Sequence, residues 1–172
     1  MNGIDVCARD GRFDWAGAEA EGIAFALIRV SADLVPDQRF SENIIAADRA
    51  GIAVGVYHEL FADGRREAAL FLSLIKPLRE HVRLWAACRA EERRQMPEAE
   101  KFLRAVSAAG FAPMLAAPPA AVKTPSPYPV WLLSWGVTEA RALTFSPTVW
   151  QYGTAGCANF SHARLNRGYF EI

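Results

Sequence analysis

The chain has no excess of charge of either sign: Lys plus Arg and Asp plus Glu number 19 each among 172 residues. That balance gives no electrostatic reason to expect a nucleic acid or an anionic membrane as partner. No apolar run reaches the length of a membrane span, so no span is expected. The opening residues, MNGIDVCARDGRFDW, have no basic stretch leading into an apolar one and do not read as a signal peptide. The compartment stays undecided, cytoplasmic or exported by another route. Cysteine is scarce: Cys7, Cys88 and Cys157 form no CxxC pair and no Cys/His cluster at ligand spacing, so neither a metal nor a cofactor is expected. An odd count in a chain with a sizeable core also argues against a disulfide framework, and the three read as small buried hydrophobes. There is no internal repeat, no low-complexity segment and no linker, so residues 1–172 are expected to form one domain.

What is present is a hydrophobic fraction of 52% against 22% charged residues, the composition of a globular chain with a real core. Short apolar runs alternate with segments of helical periodicity. Strands are expected over Ile4–Cys7, Phe25–Val30, Ile52–Leu60, Val82–Glu91 and Phe111–Ala117. Between them, helices are expected over Asp14–Ala20, Asp37–Ala50, Ala62–Leu78 and Pro97–Ala109, with Ser31–Pro36 a loop. Asp14 is a suitable N-cap, and Gly22, Gly51 and Gly110 are suitable stops. The alternation then breaks. Pro118–Pro129 holds five prolines and reads as a loop. Val130–Trp135, Val149–Tyr152 and a segment around Arg164–Asn166 read as further strands. Strands alternating with helices, then strands without them, imply an α/β chain whose parallel sheet curls and closes with shorter strands.

Polar groups gather where such strands end, which is where α/β sheets carry their chemistry. Asp5, Arg29, Tyr57, His58, Glu59, Arg89 and Glu91 fall there, joined by Trp131, Trp135, Trp150, Gln151 and Tyr152 from the later strands. The stretch VRLWAACRAEE, 82–92, is central. Alternation puts Trp85, Ala87, Arg89 and Glu91 on one face and Leu84, Ala86, Cys88 and Ala90 on the other. Arg89 and Glu91 then stand side by side at the strand's exit. His58 reads as a hydrogen-bonded strand-end residue rather than a base, since no second His lies near it in sequence.

In this order the segments resemble glycoside hydrolase family 25, the lysozymes (N-acetylmuramidases) that cleave peptidoglycan. The likeness rests on Gly3-Ile4-Asp5-Val6-Cys7, on Asp14-Trp15, on Gly22 to Asp33 with Arg29 and Ser31, and on Ala50-Gly51 through Tyr57-His58. It continues in Glu67-Ala68 through Phe71-Leu72, in Trp131 to Trp135, and in Trp150-Gln151-Tyr152. The resemblance implies a (β/α)5β3 barrel, similar to a TIM barrel, and a peptidoglycan or related glycan as partner. It implies Glu91 and Asp5 as the catalytic carboxyl groups. Tyr57, Trp131, Trp150, Tyr152, Arg89 and Arg164 are then expected to contact substrate.

The departures from the family pattern bear on chemistry. The family's Asp-x-Glu of strand four falls on Arg89-Ala90-Glu91, and its final Asp-x-Asn reads Arg164-Leu165-Asn166. The Glu of the strand-two loop falls on Ala32, and the aromatic residue near the end of strand five falls near Ala116. Retaining hydrolysis needs one carboxyl group that donates a proton and a second that stabilises positive charge at the anomeric carbon. Neighbouring acids help keep the donor protonated, whereas a cation about 4–6 Å away favours the carboxylate. Two arginines therefore predict that muramidase activity is lost or strongly reduced. Three functions stay open: slow hydrolysis through Glu91 and Asp5, a glycan- or anion-binding module, and a scaffold in a larger assembly.

Overall fold

In a computed structural model of the chain, the structure describes residues 1–134, 147–154 and 161–165, the last of these from 152 onward as backbone. Among the described residues nine strands form one sheet: β1 (Asn2–Val6), β2 (Ile23–Ala32), β3 (Val35–Pro36), β4 (Ala53–Glu59), β5 (Trp85–Arg89), β6 (Ala112–Ala117), β7 (Val130–Leu133), β8 (Val149–Thr154) and β9 (Ser161–Leu165). The helices are α1 (Trp15–Ala20), α2 (Phe40–Arg49), α3 (Gly64–Ile75) and α4 (Met96–Ala108).

The strands run in the order β1-β9-β8-β7-β6-β5-β4-β2-β3, and β1 also bonds to β2. From β1 through β2, β4, β5, β6 and β7 to β8 every pairing is parallel, while β9 runs antiparallel to both β8 and β1. With partners on both edges of β1, the sheet is curled and barrel-like. Its outer face carries the larger apolar cluster, in which Val54, Val56, Ala86 and Cys88 pack against Ile44, Phe71, Phe102 and Leu103 of the helices. The inner face is filled by Phe25, Leu27, Tyr57, Ala87, Met114, Ala116, Trp131, Leu133 and Val149. The period-two alternation of each strand thus sorts its residues between two cores.

Close packing is enforced at named points. Gly3 pairs with Phe25, and a Cβ on Gly3 would overlap the Phe25 ring. The first residue of α3, Gly64, lies so close to the backbone carbonyl of Glu98 in α4 that a Cβ would collide with it.

The helices fall where periodicity places them, and the differences have local causes. The helix expected over 62–78 ends as α3 at Ile75, and 3-10 turns over Lys76–His81 follow, since Pro77 offers no N–H to continue the ladder. The segment read as a loop, Ser31–Pro36, instead extends β2 to Ala32 and folds back as the two-residue strand β3. Asp33 makes that turn with φ of 50°, a conformation Asp tolerates better than most residues. The last strand begins earlier than expected, at Ser161. The proline-rich connection from β6 to β7 carries turns and no helix, as read. Cys7 lies just past β1 and Cys88 within β5, both buried with free thiols. Cys157 is outside the described residues.

Candidate active site

The parallel register brings the strand ends into one mouth. Asp5 pairs with Leu27, Arg29 with Tyr57, Tyr57 with Ala87, and Glu59 with Arg89. Inner-face residues at matched heights are neighbours. Arg29, Tyr57, Glu59 and Arg89 therefore sit side by side across β2, β4 and β5.

Arg89 Nε donates to Glu91 Oε1 at 2.7 Å, and the side chains are 17% and 53% exposed. Burial works against the Arg89 charge, but Glu91, with Asp5 behind it, outweighs burial and holds the guanidinium firmly protonated. Arg29 is neutralised from two sides. Its Nε and Nη2 each lie 3.0 Å from Asp37 Oδ2, and its Nη1 lies 3.2 Å from Glu59 Oε2. Asp37 is almost wholly enclosed and also accepts from the backbone N–H of Ala8 and Arg39, so it ties the chain after β1 to the end of β2. Asp5 accepts a hydrogen bond from Gln151 Nε2 at 3.1 Å, which links the first strand to β8.

Tyr57 forms the floor of this mouth. Its ring meets Trp131 edge-on, with centroids 5.3 Å apart. Burial, then the charges of Asp5 and Glu59, push its hydroxyl well above the ordinary tyrosine range, so it stays a neutral phenol. Trp131 itself is wholly buried beneath it. Trp150 points the other way: it packs with Val130 and Leu132 on the outer side, and its indole N–H donates to the Ser134 carbonyl at 3.3 Å. Alternation accounts for this, because its neighbour Gln151 takes the inner face. The backbone of Tyr152 lies in β8. Arg164 lies in β9, paired with Asn2 and Trp150. Trp135 and Asn166 fall outside the described residues.

His58 faces the helices and is fully buried, stacked on Phe102 at 5.0 Å. Its Nδ1 lies 2.8 Å from Ser31 Oγ and its Nε2 lies 2.7 Å from Glu67 Oε2. Glu67 also accepts from the backbone N–H groups of Phe61, Ala62 and Asp63 at 3.0, 2.7 and 2.8 Å. Burial keeps His58 below its ordinary range although Glu67 pulls it upward, which makes the ring neutral near pH 7. Glu67 is disfavoured as an anion by burial, yet its hydrogen bonds from Ala62, His58, Phe61 and Asp63 prevail and hold it below the usual carboxylate range. The relay Ser31–His58–Glu67 is sealed from solvent and fixes the loop leaving β4. It has no access to substrate.

Sequence reading left Asp37 and Glu67 without a role at the strand ends. Both lie near helix starts, where a carboxylate reads as a helix-terminal charge. Their true partners, Arg29 and His58, are set by strand register. Among the described residues no group of three or more His, Cys, Asp or Glu could hold a metal ion, and no helix is long and apolar enough to cross a membrane.

The profile of Glycosyl hydrolases family 25 matches residues 4–159. Lysozyme M1 of Streptomyces globisporus is 37% identical over 59 residues, which are 34% of this chain and 20% of that protein, so the matched segment spans a fifth of this relative's length. Among solved structures, a family 25 glycosyl hydrolase from Bacillus anthracis superposes with a TM-score of 0.82 at 20% identity, covering 99% of this chain and 89% of that one. A bacterial lysozyme from Streptomyces coelicolor gives 0.78 at 21% identity, covering 96% and 92%. These two likenesses are of fold.

Proposed function

The chain belongs to glycosyl hydrolase family 25, and from that premise we propose that it is a single-domain (β/α)5β3 barrel acting on bacterial cell-wall peptidoglycan with muramidase activity lost or strongly reduced. One observation carries the second half of the reading. The general-acid position, Glu91, accepts from Arg89 Nε at 2.7 Å, where the family pattern has an aspartate two residues before the glutamate.

The chemistry follows from that contact. A general acid must aim a protonated carboxyl at the glycosidic oxygen. The Glu91 oxygen that accepts from the guanidinium is turned to Arg89, and it must leave the pair before it can act on a glycosidic oxygen. Positive charge that develops at the anomeric carbon would also meet Arg89, which keeps its own charge. Asp5 is a second carboxylate on the inner face of the mouth, bonded by Gln151, whereas Glu59 there is taken up by Arg29. In this reading Glu91 and Asp5 are remnants of the hydrolytic pair. Tyr57 and Arg89 line the floor and wall of a glycan groove, and Trp131 acts by bracing Tyr57. Trp150 sits on the outer face and braces β7 against β8.

The test is turbidity clearing of purified cell walls by wild type and by Glu91→Gln, together with co-sedimentation on insoluble peptidoglycan. The expected result is co-sedimentation with clearing no faster than the Glu91→Gln rate. Clearing by wild type that vanishes in Glu91→Gln would show a working muramidase and overturn the loss. Absence of co-sedimentation would overturn the glycan assignment.

A further inference from the structure

Two of the three large hydrophobic side chains most exposed among the described residues lie at the strand ends that form the mouth. Phe61 is 61% exposed and Val35 is 65% exposed, while the third, Met1, begins the chain at the opposite end of β1. Val35 begins β3, just past a turn whose Asp33 N–H donates to the Glu59 carbonyl at 3.1 Å. Phe61 follows β4 by two residues. The alternation of β4 persists past its end: Tyr57 and Glu59 face inward, and Leu60 is buried among the helix-facing residues. Phe61 follows on the loop that leaves β4, where the Leu60 backbone is bonded to Arg89 at the end of β5.

Phe61 differs from an ordinary exposed loop residue in how its backbone is held. Leu60 N–H donates to the Arg89 carbonyl at 2.9 Å, and the Leu60 carbonyl accepts from Gln95 Nε2 at 2.6 Å. Phe61 N–H donates to Glu67 Oε2, and the two following N–H groups donate to Glu67 Oε1. Glu67 is in turn fixed by His58 and, through it, by Ser31. A fully buried polar relay thus immobilises the backbone beneath an aromatic ring that is left in water. Rigid aromatic surface of this kind binds flat apolar faces at little entropic cost, and the C–H face of a pyranose is such a surface.

We propose that Phe61 is a stacking platform for a pyranose ring of a glycan chain, placed beside the Arg89–Glu91 pair and held in position by the Ser31–His58–Glu67 relay. The inference rests on the glycan-binding reading above. It adds a contact that does not depend on hydrolysis, and it gives the protein a way to hold glycan without turning it over.

The experiment is isothermal titration of peptide-trimmed, solubilised peptidoglycan strands into wild type, Phe61→Ala, Phe61→Leu and Phe61→Trp. The loss of one stacking contact predicts a Kd raised roughly five- to tenfold in Phe61→Ala. Phe61→Leu should lose as much, because it keeps apolar bulk without the flat face, and Phe61→Trp should bind at least as well as wild type. The side chain is exposed, so all three variants should melt with wild type. Wild-type binding with Phe61→Ala within twofold of it would overturn the platform and leave the glycan reading intact. Phe61→Leu equal to wild type would also overturn stacking, leaving a plain apolar contact. No binding by wild type would overturn both readings.

Discussion

Arg89 and Glu91 stand two residues apart at the exit of β5 and meet at 2.7 Å, but they share the contact unequally: Arg89 is 17% exposed and Glu91 53%. The cation is the fixed partner and the carboxylate the movable one. Removing the cation should therefore free Glu91 without disturbing the wall that supports it. Arg89→Asp is expected to raise wall-clearing at least about a hundredfold, the lower end of what a general acid contributes. Adding Glu91→Gln should cancel the gain. No gain in Arg89→Asp, shown to be folded, would place the defect in the groove and not in its charge.

Glu67 accepts from His58 and from three backbone N–H groups, and its side chain is 1% exposed. Truncation would take the acceptor from all four donors, and His58 Nε2 among them is fully buried. Glu67→Ala should cost about 3 kcal/mol or more in urea unfolding, since each buried donor left unpaired costs on the order of 1 kcal/mol. A loss under about 1 kcal/mol would mean that water reaches the relay.

The same relay sets an acid limit. Folding holds His58 neutral below its ordinary range, so the unfolded chain takes up this proton first. Stability should be fully present above about pH 6.5, where the unfolded imidazole titrates, and should fall with pH until the folded ring protonates. Glu67, also depressed by folding, adds a second loss as pH drops below its unfolded value toward its folded one. Unfolding free energy measured from pH 8 to 4 should show both, and His58→Gln should flatten the upper part. A wild-type curve level between pH 6.5 and 5 would contradict a buried neutral His58.

Gly64 begins α3 with its backbone against Glu98 of α4, and its N–H donates to Glu98 Oε2 at 3.1 Å. Gly64→Ala must push the two helix starts apart. Overpacking of this kind costs about 1–3 kcal/mol, so a clear drop in Tm is expected. An unchanged Tm would mean that the junction yields freely.

Much of this was legible because it is local. The faces of β5 could be read from residues 84–91, since alternation alone puts Arg89 inward and Cys88 outward. The same rule puts Gln151 inward and Trp150 outward, but the run of aromatic residues there suggests a sugar wall, and periodicity within so short a strand does not say which face is inner. What stayed hidden is relational. Arg29 reads as a free cation until register sets it beside Asp37 and Glu59. His58 ends an apolar strand with nothing in its own segment to mark its partner, nine positions away across a turn. The two-residue β3 is too short to carry any pattern.

The hydrogen bond from Gln151 to Asp5 spans 146 positions, and the same Asp5 pairs through its backbone with Ser161 of β9. The mouth is thus assembled from the two extremes of the sequence. Contacts of such long range are closed late, after the intervening chain has been ordered. During synthesis Asp5 leaves the ribosome long before Gln151 is made, and β1 then has only β2 for a neighbour. The order of events is vectorial: β1 through β7 can form on one another in sequence, and the pocket comes into being last, when β8 and β9 seat against the strand that emerged first.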